Sequence, residues 1–287
     1  MRIIAGEDEA NTRLDMVVAT AMPRLSRAYV QRLCDDDKVT IAGKPHKPGY
    51  KVRLGEVITV DYDEAQLHTI PTIDLPVIYE DDEVVVMNKP VGVLTHTQGS
   101  VKPEATVATF LRDKLNGLEN GERAGIVHRL DRATSGIIIG AKNQAALSWL
   151  QKQFSHRKVK KTYIAIVRGH LRQPEAIIDM PIERNPKAPA TFRVGVNGKT
   201  AQTHYKVLAE NQAFTMLELA PETGRTHQLR VHASHIGHPI VGDPLYGDGK
   251  YGDRLFLHAL KLEITLPNRE RVVFEAPLPP EFSRKMQ

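Results

Sequence analysis

The chain has 287 residues, enough for one large domain with a small one, or for two of similar size. Hydrophobic residues at 41% and charged residues at 25% exclude wholesale disorder, and the single cysteine, Cys34, excludes a disulfide framework or a cysteine-based zinc site. Thirty-nine basic against 34 acidic residues give a net charge of +5, and no apolar run approaches the roughly 18 residues of a membrane span. The N-terminal stretch turns acidic at Glu7-Asp8-Glu9 before a signal-peptide core can form. The expectation is a cytoplasmic protein with no membrane partner.

Residues 12–34 read as two short helices. Leu14, Val17, Val18 and Ala21 share one helical face. Pro23 breaks that helix, and Ser26 can cap a second one carrying Tyr29, Val30 and Leu33. Val39-Thr40-Ile41 is a short strand closed by a Gly43-Lys44-Pro45 turn, and Val52 to Tyr62 supplies more strand, punctuated by Gly55. The predicted boundaries are a small module at 12–63, a linker at 64–76 containing Pro71 and Pro76, and a large domain at 77–287.

The large domain opens on the buried strand Val84–Met87, which ends at Asn88-Lys89-Pro90. Further strands are expected at Gly136–Ala141, Thr162–Arg168, Thr203–Leu208, Thr215–Ala220, Lys261–Leu266 and Arg271–Glu275. Helices are expected at Thr106–Leu115, Asn143–Phe154 and Thr226–Ile236; in the second, Asn143 is the cap and Ala146, Trp149, Leu150 and Phe154 form the apolar face. No βαβ rhythm runs through this order. It predicts an α+β class with a mixed, largely antiparallel sheet and flanking helices.

The charge is unevenly placed. Residues 1–63 hold ten basic and ten acidic residues, whereas residues 84–287 hold 29 basic and 18 acidic. From Arg132 to Pro174 there are nine Lys or Arg and no acid, centred on His156-Arg157-Lys158-Val159-Lys160-Lys161. Such a field suits a phosphate backbone, and a solvated basic surface is the alternative.

Four blocks stand out within the large domain. His128-Arg129-Leu130-Asp131-Arg132-Ala133-Thr134-Ser135-Gly136 places a carboxylate between two arginines at the mouth of a strand. Nearby cations favour the ionised form, suited to a nucleophile or base; a structural Asp paired with Arg129 or Arg132 is the other reading. In Lys160-Lys161-Thr162-Tyr163, Tyr163 shares a strand face with Ala165 and Val167, and is either a stacking platform for an unpaired base or a core tyrosine. In Thr223-Gly224-Arg225-Thr226-His227-Gln228-Leu229-Arg230, Gly224 permits a tight turn, Thr226 can cap a helix, and Arg225 is presented at its start as a cation for a carboxylate or phosphate. Gly237 to Gly247 reads as a defined scaffold loop.

Other signals carry less. Gly247-Asp248-Gly249-Lys250-Tyr251-Gly252 matches a dinucleotide fingerprint in letters, but no strand leads in and no helix leaves, and no Walker A loop exists. No nucleotide cofactor is expected. His227, His232, His235 and His238 raise a metal site, which the lack of interleaved acids and the presence of Arg230 disfavour; the expectation is no metal.

Taken in order, the first block, Asn88-Lys89-Pro90, Lys161-Thr162-Tyr163, Gly224–Arg230 and Gly237-His238-Pro239-Ile240 resemble the motifs of the RluA-type pseudouridine synthases, over about Val77 to Pro280. Residues 12–62 resemble the small α-L type RNA-binding domain named after ribosomal protein S-four, through Ser26-Arg27-Ala28, Val39–Lys44 and Lys51–Ile58. The Asp35-Asp36-Asp37 run is more acidic than that pattern. The resemblance implies an isomerase that turns uridine in RNA into pseudouridine without a cofactor. It implies Asp131 as the catalytic aspartate, Tyr163 packed on the flipped base, Arg225 ion-paired with Asp131, and Arg129 wedged where the base leaves. Arg132, Arg157, Lys158, Lys160, Lys161, Arg27 and Lys44 are the further RNA contacts expected. Ribosomal RNA is the preferred substrate, with transfer RNA as the alternative. A non-catalytic RNA-binding or ribosome-assembly protein and a His-site metallohydrolase are the competing classes.

Overall fold

The computed structural model describes the chain except residues 24, 26, 63–70, 98–103, 119–122 and 248–253. The proposed Ser26 cap, residues 64–70 of the expected linker and the Asp248–Gly252 part of the fingerprint therefore lie outside the described residues. Contacts divide the chain into two units: Met1–Thr72 with Thr97–Ala105, and Ile73–His96 with Thr106–Gln287.

In the first unit, strand β1 (Arg2–Ile4) precedes helices α1 (Leu14–Ala21) and α2 (Arg27–Asp35), then β2 (Val39–Ile41), β3 (Lys44–Pro45) and β4 (Val57–Val60). The strands form an antiparallel sheet in the order β1-β4-β2-β3. Lys44-Pro45 belongs to a strand instead of the turn. The turn is Ala42-Gly43, both at positive φ (51° and 76°), which suits a two-residue hairpin whose twist matches its strands. On α1, Asp15 is buried where Ala21 was expected and Ala21 is exposed. Burial by itself raises the Asp15 pKa, but donors from Arg13, Gln31 and Arg27 outweigh it and hold the carboxyl well below the usual range.

The second unit is a mixed, largely antiparallel sheet. Its strands are β5 (Val77–Glu80), β6 (Val84–Lys89), β7 (Ser135–Ala141), β8 (Lys160–Arg168), β9 (Glu175–Asp179), β12 (Gln202–Glu210), β13 (Phe214–Pro221), β14 (Leu257–Thr265) and β15 (Arg271–Glu275), with a separate hairpin of β10 (Ile182–Arg184) and β11 (Phe192–Val194). Helices α3 (Val107–Arg112), α4 (Gln144–Ser155), α5 (Gln228–His235) and α6 (Pro280–Met286) complete it. The sheet order is β5-β6-β7-β14-β8-β13-β12-β9, with β15 on β14.

β14 is the organising strand. Its first half pairs with β7 in parallel, at Ser135–His258 and Gly136–Ala259; its second half pairs with β15; its other edge carries β8. The parallel contact requires glycine at 136: φ is +113°, and an added Cβ would collide with the Ala259 backbone carbonyl. One apolar cluster gathers Val84–Met87, Ile137–Ile139, Ala146, Leu150 and Ile264. A second gathers Ile164–Val167, Leu217, Leu219, Leu229, Phe256 and Phe282. Tyr163 packs against both, so it stands where the two halves of the sheet meet.

Candidate active site

The loop carrying Asp131 leads into β7, and Lys89 builds it from below. This fully buried lysine ends β6 and its ammonium donates to the carbonyls of Val93 (2.8 Å), Pro90 (3.0 Å) and Arg132 (3.3 Å). Burial drives its pKa down to about 7 against the opposing pull of the Asp131 carboxylate. Thr95 locks the same loop: its hydroxyl donates to the Leu130 carbonyl (2.9 Å) and accepts the Leu130 N–H (3.1 Å). The Asn88-Lys89-Pro90 block and the Asp131 block are thus one structure. His128 is held inside it. Its Nε2 accepts the Ile139 N–H at 3.2 Å, its ring stacks on Phe154, and burial and nearby Lys161 push its pKa down to about 3.

Asp131 faces a cleft of about 640 Å³ whose wall also includes Tyr163, Lys161, Arg157 and the Thr223–Arg230 segment. Tyr163 comes from β8; burial and then the Asp131 carboxylate raise its phenol pKa, so the hydroxyl stays protonated at neutral pH. The arginine at Asp131 is Arg230, not Arg225. Arg230 Nη1 donates to Asp131 Oδ2 at 3.1 Å, while its Nε and Nη2 form a two-pronged pair with buried Asp243, both at 2.8 Å. Burial opposes the charged state of both partners, yet the pair leaves Arg230 raised and Asp243 lowered in pKa. Arg225 is half-exposed on the cleft wall and donates through Nε to the Thr200 carbonyl at 3.0 Å.

The reason lies in how α5 begins. Thr226 does not cap it. His227 occupies the N-cap position in the left-handed region, φ 56°. Gln228 organises the turn: its Oε1 accepts the Arg225 N–H (3.1 Å) and the Thr223 hydroxyl (2.6 Å), and its Nε2 donates to the Gln202 carbonyl (2.9 Å). The tight turn falls at His227 and not at Gly224, which has open space around it and no positive φ. This turns Arg230, one helical turn along, towards the cleft.

Among the other expected RNA contacts, Arg129, Arg132, Arg157, Lys158 and Lys160 are exposed. Arg132 donates to the Gly92 carbonyl (3.1 Å), and Lys160 lies 3.4 Å from Glu263. Lys161 points inward. Its ammonium donates to the Thr223 carbonyl at 3.3 Å, and burial and nearby Arg157 lower its pKa to about 8. In the N-terminal unit, Lys44 is exposed and Arg27 is paired with Asp15 at 3.1 Å. His232 engages Thr203 and the Met180 carbonyl through its two ring nitrogens, and among the described residues no group of three metal-type ligands converges. No described helix is long and apolar enough to cross a membrane.

Reading the sequence by local rules missed Arg230, Asp243, His227 and Lys89 as parts of the site. One signal was present for the first two: Asp243 is the only acid between Gly237 and Gly247, and a lone carboxylate in an apolar loop needs a buried cation.

Residues 83–235 match the family model of RNA pseudouridylate synthase, and residues 12–58 match that of the S4 domain. The chain is 37% identical over 292 residues to an RNA pseudouridine synthase of Bacillus subtilis (strain 168), spanning 99% of this chain and 96% of that one. It is 37% identical over 292 residues to the ribosomal large subunit pseudouridine synthase D of Nitrosomonas europaea, spanning 97% and 84%. The solved structure of human RNA pseudouridylate synthase domain containing 1 superposes with a TM-score of 0.61 at 31% identity, covering 74% of this chain and 87% of that one. A mixed sheet with an aspartate loop on its cleft, an S4 module ahead of it, and matches of this extent have one reading: the chain belongs to the RNA pseudouridylate synthase family, and is an RNA-modifying isomerase.

Proposed function

We propose that the enzyme converts specific uridines of large-subunit ribosomal RNA to pseudouridine, with Asp131 as the catalytic carboxylate. The observation that carries this reading is the Asp131 carboxylate on the cleft wall, held by Arg230 at 3.1 Å beside Tyr163. In the reaction the C1′–N1 bond breaks, the uracil turns, C1′ bonds to C5, the C5 proton leaves and N1 gains a proton. No electrons change hands, so no redox partner is needed. An ionised Asp131 can open it by attacking C1′, adding to the uracil ring, or taking a ribose proton. Uracil must leave its stack to reach the cleft, and Tyr163 offers an aromatic surface there. Exposed Arg129, Arg132, Arg157 and Lys158 supply cations for flanking phosphates.

The ribosomal target draws support from the S4 match and from the printed name of the Nitrosomonas europaea relative. On this reading the N-terminal unit adds RNA recognition through Arg27 and Lys44, and the enzyme works in the cytoplasm. The test is tritium release from RNA labelled at C5 of uridine, on large-subunit ribosomal and transfer RNA transcripts. Wild type should release tritium from the ribosomal transcript and Asp131→Asn should not, with RNA affinity preserved. Equal release by both forms would remove Asp131 from the chemistry, and release from transfer RNA alone would overturn the target.

A further inference from the structure

The Arg230 and His227 nitrogens converge on one oxygen of Asp131. Arg230 Nη1 lies 3.1 Å and His227 Nε2 3.8 Å from Oδ2. Among the described residues, the hydrogen bond to the Asp131 carboxylate falls on Oδ2 and none falls on Oδ1. His227 is held for this approach by more than its helix. Its backbone sits at φ 56°, a conformation that a non-glycine residue keeps only where its surroundings enforce it. Its ring meets Phe192 and Tyr246 edge-on, with centroids 5.7 Å and 5.6 Å away.

Tyr246 also bears on the tautomer. Its hydroxyl oxygen accepts the Phe192 N–H at 2.9 Å and stands 2.8 Å from His227 Nδ1. With the oxygen already accepting, the phenol proton is available to Nδ1. A neutral ring that accepts at Nδ1 carries its own proton on Nε2, the nitrogen facing Asp131. The opposite tautomer would aim the Nε2 lone pair at a carboxylate oxygen. Burial lowers the His227 pKa and outweighs the opposing pull of Asp131, which keeps the ring neutral.

We propose that His227 is a positioning residue: its Nε2–H, set by Tyr246, closes on Asp131 Oδ2 beside Arg230 and leaves Oδ1 as the oxygen that meets the substrate. The inference rests on Asp131 being the catalytic carboxylate. The 3.8 Å separation is one that tightens when substrate fills the site.

The test joins kinetics to ring spectroscopy. In wild type, ¹⁵N shifts of the His227 imidazole should report the Nε2–H tautomer; an Nδ1–H tautomer would overturn the proposal without any variant. His227→Ala should lower kcat for tritium release about 10- to 100-fold, the range for removing an outer group that orients a reacting one, with RNA affinity unchanged. His227→Gln, which places an amide N–H near the lost Nε2, should recover most of that loss. His227→Asn tolerates the left-handed backbone but falls short of Asp131, and should stay slow; this separates donor loss from backbone strain. Wild-type kcat in His227→Ala, or equal rates in the Gln and Asn variants, would overturn it. Asp131→Asn run alongside tells the two readings apart: if it is inactive while His227→Ala is fully active, only the role of His227 falls.

Discussion

Replacing Arg230 by Met tests which arginine holds the site. The Arg230 side chain is 4% exposed and its partner Asp243 is 0% exposed. Among the described residues, Asp243 without the guanidinium keeps only the Leu245 and Tyr246 N–H groups, both on Oδ1, and no donor remains for its buried Oδ2. Breaking a buried pair from one side costs about 3–5 kcal/mol. At about 2–4 °C per kcal/mol for a unit of this size, the melting temperature should fall by about 6–20 °C. Arg225→Met removes one N–H bond to the Thr200 carbonyl at a half-exposed position and should cost under about 1 kcal/mol. Adding Asp243→Asn to Arg230→Met removes the stranded charge and should return about 2–3 kcal/mol of the loss. Thermal unfolding by circular dichroism reads all four proteins. Tritium release at a temperature where each remains folded then reads the loss of the Nη1 bond to Asp131, expected at about 10²- to 10³-fold for a donor lost at a reacting group. A melting point for Arg230→Met within 2 °C of wild type, or a larger effect from Arg225→Met, would refute the reasoning.

Two further outcomes follow from the scaffold. Gly136→Ala should cost at least about 3 kcal/mol through its positive φ and the Ala259 collision, while Gly224→Ala, in open space, should stay within about 0.5 kcal/mol of wild type; denaturant titration of both variants checks this. Lys89 has a folded pKa of about 7, below the value near 10.5 of a free lysine, so between those values the unfolded chain holds a proton that the folded one releases. Its contribution to stability is therefore least below pH 7 and grows as pH rises. The stability of wild type relative to Lys89→Met should rise by about 2 kcal/mol from pH 7 to 9, as measured by denaturant unfolding at each pH; a flat or falling difference would contradict a buried lysine half-deprotonated at pH 7.

The elements legible in the sequence are those whose local pattern and tertiary role agree. β7 reads as a run of buried isoleucines behind a glycine, and α4 begins at Asn143, whose side chain accepts the Ala146 N–H at 2.9 Å. The strands that escaped, β1, β5, β9, β10 and β11, are three to five residues long, and only pairing makes them strands: β1 with β4, β5 with β6, β9 with β12, and β10 with β11. α6 likewise buries the single side chain Phe282. For the site, proximity along the chain misled. Arg225 has the textual position of a cation at a helix start, but the choice of Arg230 depends on Asp243, 13 residues beyond it. Lys161 looked like part of a basic surface run. Stepping back two residues from Tyr163 along the strand puts it on the cleft side, where the structure has it.

The sharing of Arg230 between two carboxylates bears on how reactive Asp131 can be. Asp243 takes two N–H groups at 2.8 Å, and Asp131 takes one at 3.1 Å. A guanidinium given wholly to Asp131 would bind both of its oxygens and stabilise the anion most, which suits a structural ion pair and not a nucleophile or base. Asp243 engages the Nε/Nη2 fork and leaves only Nη1 for the cleft. The cluster then carries two negative charges against one positive, with Lys89 beneath the loop, so Asp131 is oriented without being neutralised. Asp243 reaches no substrate on this geometry, yet it fixes the direction of the one bond that Asp131 receives from Arg230. Its burial is what makes that direction rigid: a carboxylate at 0% exposure has no water to turn to, and the fork geometry of the pair admits one arrangement.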